Sequence, residues 1–234
     1  MENKSRIKIG IYGIGILMMG VIGISGALTA IGAHFPDASQ TMIQNLISIP
    51  CLVVIPVTLI VGKLMDSVSK KLLSIIGILC FLIGGFLPAL MSSLTVILVL
   101  RGILGIGIGI VQCVSSALVA ENFEGPERDK VQGNLTSAHA VGTPGALPSA
   151  GGWLADISWN FAFFVHLLAI ISLVLCIVCI PNVKPSAAKV SDAPAQKVQL
   201  TKGSWIWALT MFVLFIGAQI YSIALSFIVD EKGL

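Results

Sequence analysis

Seven long apolar runs contain no Asp, Glu, Lys or Arg: residues 9–36, 38–62, 72–100, 102–120, 131–155, 157–183 and 203–229. A helix crosses a bilayer with about 20 mostly apolar residues, and each run reaches or approaches that length. In hydrocarbon the backbone must satisfy its own polar groups, so each run is expected to be α-helical. A transmembrane barrel would alternate over segments of about ten residues, whereas these runs are continuous. Charged residues make up 11% of the chain and hydrophobic ones 56%, with a mean hydropathy of +0.99. Soluble domains carry about 25% charged residues. The expected fold is therefore all-α, a polytopic transmembrane helix bundle. Its spans are expected near 9–31, 41–62, 72–91, 95–120, 131–153, 160–181 and 204–228.

The basic residues assign a topology. Lys4, Arg6 and Lys8 precede the first span, and Lys63, Lys70 and Lys71 lie between the second and third. Arg128 and Lys130 lie between the fourth and fifth, and Lys184, Lys189, Lys197 and Lys202 between the sixth and seventh. Every Lys and Arg except Arg101 and Lys232 thus falls on one side. By the positive-inside rule that side, including the N-terminus, is cytoplasmic. The net charge of +3 is too small to point to nucleic acid. The first run is too long for the h-region of a cleaved signal.

Cys51, Cys80, Cys113, Cys176 and Cys179 all sit inside apolar runs, where small thiols packing between helices are expected. Cys176 and Cys179 have the spacing of half a metal site but no second pair. No metal or cofactor is expected. Three histidines at unrelated depths offer no cluster for a membrane enzyme.

The segment between the sixth and seventh spans holds Pro185, Pro194 and four lysines, which is linker chemistry. The chain is therefore expected to divide into a six-helix bundle (1–183), a basic cytoplasmic linker (184–203) and a seventh transmembrane helix (204–234). A bundle, a linker and one further helix read as part of a larger protein whose C-terminal half is missing here.

Several motifs carry more specific information. Gly62, Asp66, Lys70 and Lys71 lie between the second and third spans with the pattern G-x-x-x-D-x-x-x-K-K. Ser67 and Ser69 stand where a basic residue and a glycine are usual. Arg101-Gly102-x-x-Gly105-x-Gly107 lies in the fourth span, and Pro126-Glu127-Arg128, followed by Gly133, lies between the fourth and fifth. Pro148-Ser149-Ala150-Gly151-Gly152 has the form P-x-x-G-G, with Leu147 at the position of a preceding glycine. Ser158-Trp159-Asn160 precedes the sixth span. Together, in this order, they resemble the major facilitator superfamily, and the P-x-x-G-G run resembles the signature of its antiporters. The resemblance covers the N-terminal half plus the seventh helix of a twelve-helix carrier, with each half built from two inverted three-helix repeats.

The resemblance implies a secondary carrier that works by alternating access. It tilts the reading toward proton-coupled efflux of drugs or metabolites. An uptake symporter of the same fold and a truncated, non-transporting remnant are the alternatives. The implied partners are the lipid bilayer, a small-molecule substrate and protons, and the implied location is a cell membrane of bacterial inner-membrane type. Asp66 is implied to meet a helix N-terminus of the opposite half, where the helix dipole favours a carboxylate by roughly 0.3–1 kcal/mol. Glu121 is the implied acidic partner of the Gly62, Asp66, Lys70 and Lys71 loop.

Arg101 is the charge inside a span, about 9 Å below the expected start of the fourth helix at 1.5 Å per residue. Such residues face a polar cavity or pair with a neighbour, unless the long stem snorkels to the interface. No acidic residue falls within the seven runs, so a proton-carrying carboxylate would lie elsewhere or another group would serve. Gln112, His139 and Gln219 are candidates for the substrate cavity; Gln44, Asn45 and His166 are further polar residues within spans. Pro144 and Pro148 each remove a backbone donor. With Gly145, Gly151 and Gly152 they make the fifth span a candidate hinge, or a fixed kink.

Overall fold

The computed structural model describes residues 2–21, 23–141 and 147–182, together with 203, 205–207, 209, 210 and 213. All regular structure among the described residues is helical. The chain separates into two units, Met1–Ala187 and Ala188–Leu234.

Among the described residues, eight α-helices build the first unit: α1 (Glu2–Gly15), α2 (Leu28–His34), α3 (Gln40–Leu64), α4 (Lys70–Phe86), α5 (Leu94–Asn122), α6 (Gly125–Val141), α7 (Leu147–Ile157) and α8 (Leu168–Cys179). Tighter 3-10 segments extend some of them, at Ile16–Val21, Ser25–Ala27, Leu87–Leu90 and Trp159–Leu167. Four stretches among the described residues are long and apolar enough to cross a membrane: Gln40–Leu64, Lys70–Leu90, Leu94–Asn122 and Trp159–Cys179.

Local chemistry explains the starts. Ser39 and Ser69 are N-caps, their hydroxyls accepting from the amides of Met42 and Leu72 at 3.3 Å. Each satisfies one of the orphan donors of a helix N-terminus. Ser69 of the loop thus has a structural use. Gly125 turns the chain between α5 and α6 at φ +52°, a conformation that favours glycine. Pro126 follows in the first turn, where a missing N–H costs nothing.

Two expected spans differ in form. The first is interrupted: α1 begins in the charged N-terminus at Glu2, and two 3-10 segments separate it from α2. The fifth begins at Gly125 rather than near 131, and its described residues form α6 and α7.

Helix α5 lies between α3 and α4, and its glycines set the distances. A Cβ at Gly105 would lie 2.6 Å from the Pro50 oxygen, and one at Gly109 would lie 2.7 Å from Val57 Cγ1, both on α3. A Cβ at Gly107 would lie 2.6 Å from the Gly77 oxygen on α4. On α4, a Cβ at Gly84 would collide with the backbone of Leu100 and Leu104. Close backbone approach at small residues is how helices associate where lipid is as apolar as leucine. Similarly, a Cβ at Gly151 of α7 would strike the Gly23 carbonyl, and one at Gly152 would lie 3.4 Å from that of Gly26. The glycine pair of the fifth span is thus seated on the glycine-rich break of the first.

The thiols differ from expectation. All five cysteines are free, but only Cys176 is buried, and Cys51 is exposed. Cys80, Cys113 and Cys179 are half-buried; Cys113 still meets α3, its thiol 3.5 Å from the Thr58 carbonyl, and Cys179 lies against Gly10 of α1. In the second unit, residues 203, 205–207, 209, 210 and 213 are helical. Trp205, Trp207 and Leu209 are exposed there.

Candidate functional site

Polar side chains gather at two places in the first unit. The first is the basic end, where the N-termini of α1 and α4 lie with the C-termini of α5 and α8. Lys70 Nζ stands 2.8 Å from Glu121 Oε1, joining the start of α4 to the end of α5. The neighbouring Lys71 Nζ donates to the Ile177 carbonyl at 2.7 Å. Arg6 Nη2 donates to the Val178 carbonyl at 3.1 Å. The last carbonyls of a helix have no intrahelical donor, and cations there also complement its dipole. Lys71 and Arg6 therefore cap α8 from two different spans. Lys8 Nζ lies 5.9 Å from the centre of the Phe123 ring, a cation–π contact between α1 and the end of α5. Asp66 is exposed on the turn after α3, its amide donating to the Lys63 carbonyl at 3.2 Å. Gly62 has open space around it.

The second gathering is buried. Arg101 has no exposed surface, so it does not snorkel to an interface. Its Nε donates to the Leu46 carbonyl at 2.8 Å, and its Nη1 lies 3.3 Å from His166 Nε2. The Leu46 carbonyl is available for a covalent reason. Its helical donor would be the amide of residue 50, which is Pro50 and has no N–H. His166, 1% exposed, has its Nδ1 3.0 Å from the Phe163 oxygen and its Nε2 3.2 Å from the Gly20 oxygen. Glycine makes room for this ring: a Cβ at Gly85 would collide with it, and one at Gly20 would collide with the neighbouring Phe81 ring. The Phe81 and His166 ring centres are 5.4 Å apart. Arg101 and His166 thus draw on the first, second, fourth and sixth spans at one point.

The structure brings Lys70 to Glu121 but leaves Asp66 on the surface. Gln112 is exposed on α5. His139 belongs to α6 and Pro148 to α7. Gly145 and Gln219 lie outside the described residues, as does the chain between α6 and α7. Reading the sequence missed His166 as the companion of Arg101, and missed Pro50 altogether. The available signal was the proline: inside a helix it frees a carbonyl four residues back, which a buried cation can take.

Comparison with known proteins agrees with the fold. Over 93% of this chain, the structure matches 45% of the crystal structure of peptide transporter POT (E310Q mutant, in complex with sulfate). That match has a TM-score of 0.64 at 14% sequence identity. The chain is 29% identical over 167 residues to the multidrug efflux pump SdrM of Staphylococcus aureus, which covers 70% of this chain and 34% of that protein. It is 30% identical over 168 residues to the chloramphenicol resistance protein CraA of Acinetobacter baumannii, covering 71% and 40%. The chain therefore spans less than half the length of these relatives. The sequence pattern of the Major Facilitator Superfamily matches residues 10–234. Multi-pass helical architecture, shared fold and matched sequence agree: the chain belongs to the Major Facilitator Superfamily, a family of membrane transporters rather than enzymes.

Proposed function

We propose that this chain supplies one half of a carrier that expels small molecules such as drugs or metabolites, driven by protons, with its N-terminus in the cytoplasm of a bacterial cell. The observation that carries the reading is the Lys70–Glu121 ion pair. It ties the loop between the second and third spans to the end of the fourth, leaving Asp66 on the surface for a contact with the opposite half. The named relatives, a multidrug efflux pump and a chloramphenicol resistance protein, support efflux. In this reading residues 1–183 form the half, 184–203 the linker and 204–234 the opening of the second half. The two halves rock about a central site in which Gln112, His139 and Gln219 face substrate. Gly145, Pro148, Gly151 and Gly152 adapt the fifth span to that motion.

The test is extrusion of preloaded ethidium from a pump-deficient bacterial host expressing the intact carrier. Extrusion should stop when a protonophore collapses the gradient. Asp66→Asn should slow it about tenfold at unchanged membrane level, the equivalent of about 1.4 kcal/mol. An unchanged rate in Asp66→Asn removes the gating role. Extrusion that ignores the protonophore removes proton coupling, and ethidium accumulation in place of extrusion reverses the direction.

A further inference from the structure

We infer that His166, held as its Nδ1–H tautomer, and the Leu46 carbonyl released by Pro50 together position the Arg101 guanidinium. Nδ1 is 3.0 Å from the Phe163 oxygen, so it must carry the proton; bare, it would set lone pair against lone pair. A neutral ring then leaves Nε2 as an acceptor. The group able to donate to it is Arg101 Nη1, at 3.3 Å, since guanidinium nitrogens only donate. The Gly20 oxygen, 3.2 Å from Nε2, favours a proton there, but that tautomer would set Nε2–H against an Arg101 N–H and a bare Nδ1 against the Phe163 oxygen, whereas the Nδ1–H form satisfies two of the three contacts.

The groups around the ring fit this assignment. From α5 comes the Arg101 guanidinium, whose nitrogens only donate. From α4 come Phe81 and Gly85, which are uncharged, and from the first span the Gly20 carbonyl. Arg101 is the charged group among the described residues that faces the histidine.

The second support is fixed by covalent structure. Pro50 cannot donate to Leu46, and Arg101 Nε does so at 2.8 Å. One turn further along α5, Gly105 lets the helix press against Pro50 itself. A proline, a glycine and a histidine from three spans thus set where one guanidinium points. His166 is a positioning residue here and touches no substrate. The transport consequence rests on the carrier reading above; the tautomer does not.

The experiment has two arms on the intact carrier in lipid bilayers. In the first, histidine nitrogens are labelled with 15N and the His166 signals are identified by their loss in His166→Gln. The wild type should show a protonated Nδ1 and a bare, hydrogen-bonded Nε2. Arg101→Met should move the Nε2 signal away from its hydrogen-bonded position. A proton on Nε2 in the wild type, or an Nε2 signal indifferent to Arg101→Met, overturns the inference.

In the second arm, ethidium transport is compared across variants. His166→Phe should fall about tenfold, the scale of a hydrogen bond to a charged group. His166→Gln keeps an acceptor oxygen and should stay within about threefold. Pro50→Ala restores an amide that competes for the Leu46 carbonyl, and should fall between the two. In an Arg101→Met background the His166→Phe effect should vanish. If it persists in full, His166 acts by packing against Phe81 and Gly85, and the positioning role fails. If Arg101→Met transports at the wild-type rate while the nitrogen signals behave as described, the positioning stands and the functional weight placed on Arg101 falls.

Discussion

The basic end and the buried arginine solve the same problem in opposite ways. Both place cations on helix carbonyls or polar partners, and both tie separate spans together. At the basic end the contacts are wet: the Glu121 side chain is 56% exposed. Exposed pairs are worth about 0–1 kcal/mol and weaken with salt. At Arg101 no water-facing surface remains, and a buried charge that loses its partners is costly, by about 3–5 kcal/mol. Contacts of the first kind suit a place where a carrier opens and closes. Contacts of the second kind suit a joint that holds throughout the cycle.

The sharpest way to break this contrast is at the joint. Arg101→Met leaves the Leu46 carbonyl and His166 Nε2 without their donor, at about 1–3 kcal/mol for each stranded group. Thermal unfolding in detergent should show the largest loss of any variant considered. Gly151→Val tests a different buried contact, since its side chain would meet the Gly23 carbonyl. Overpacking of this kind costs about 1–3 kcal/mol. The melting temperature should fall, and a disulfide engineered between α7 and the first span should form less readily. The basic end should yield least. A double-mutant cycle on Lys70 and Glu121 should give a coupling near 0.5 kcal/mol that disappears in about 1 M salt. A coupling above 2 kcal/mol would make the two regions alike.

The spans at Gln40–Leu64, Lys70–Leu90, Leu94–Asn122 and Trp159–Cys179 were legible because hydrocarbon admits so few solutions for a long charge-free run. What such a run reports, however, is where the bilayer lies and not where the helix begins. That is why α1 starts at Glu2 and α6 at Gly125, well inside charged sequence. The 3-10 breaks of the first span were harder to foresee, because Gly20, Gly23 and Gly26 signal close packing and broken helix equally well. Arg101 was visible as a charge out of place. His166 was not, since a lone histidine in an apolar run says nothing about its partner 65 residues away. Lys70 and Glu121 were paired by resemblance alone, whereas the cap that Lys71 and Arg6 place on α8 depends on how the folded chain brings the ends of three spans together.

The glycine-lined sandwich of α3, α5 and α4 also bears on the order in which the bundle assembles. Its contacts close modest loops, and glycines have no rotamers to freeze when backbones meet. The Arg101 bond to Leu46 spans 55 residues, whereas that of Arg6 to Val178 spans 172. As spans leave the ribosome one by one, the second, third and fourth can dock while the rest is still being made. The first span can already meet α5 through Lys8 and Phe123, but its glycine break and its Arg6 contact are completed only when the fifth and sixth arrive. The helix made first is thus among the last to complete its contacts.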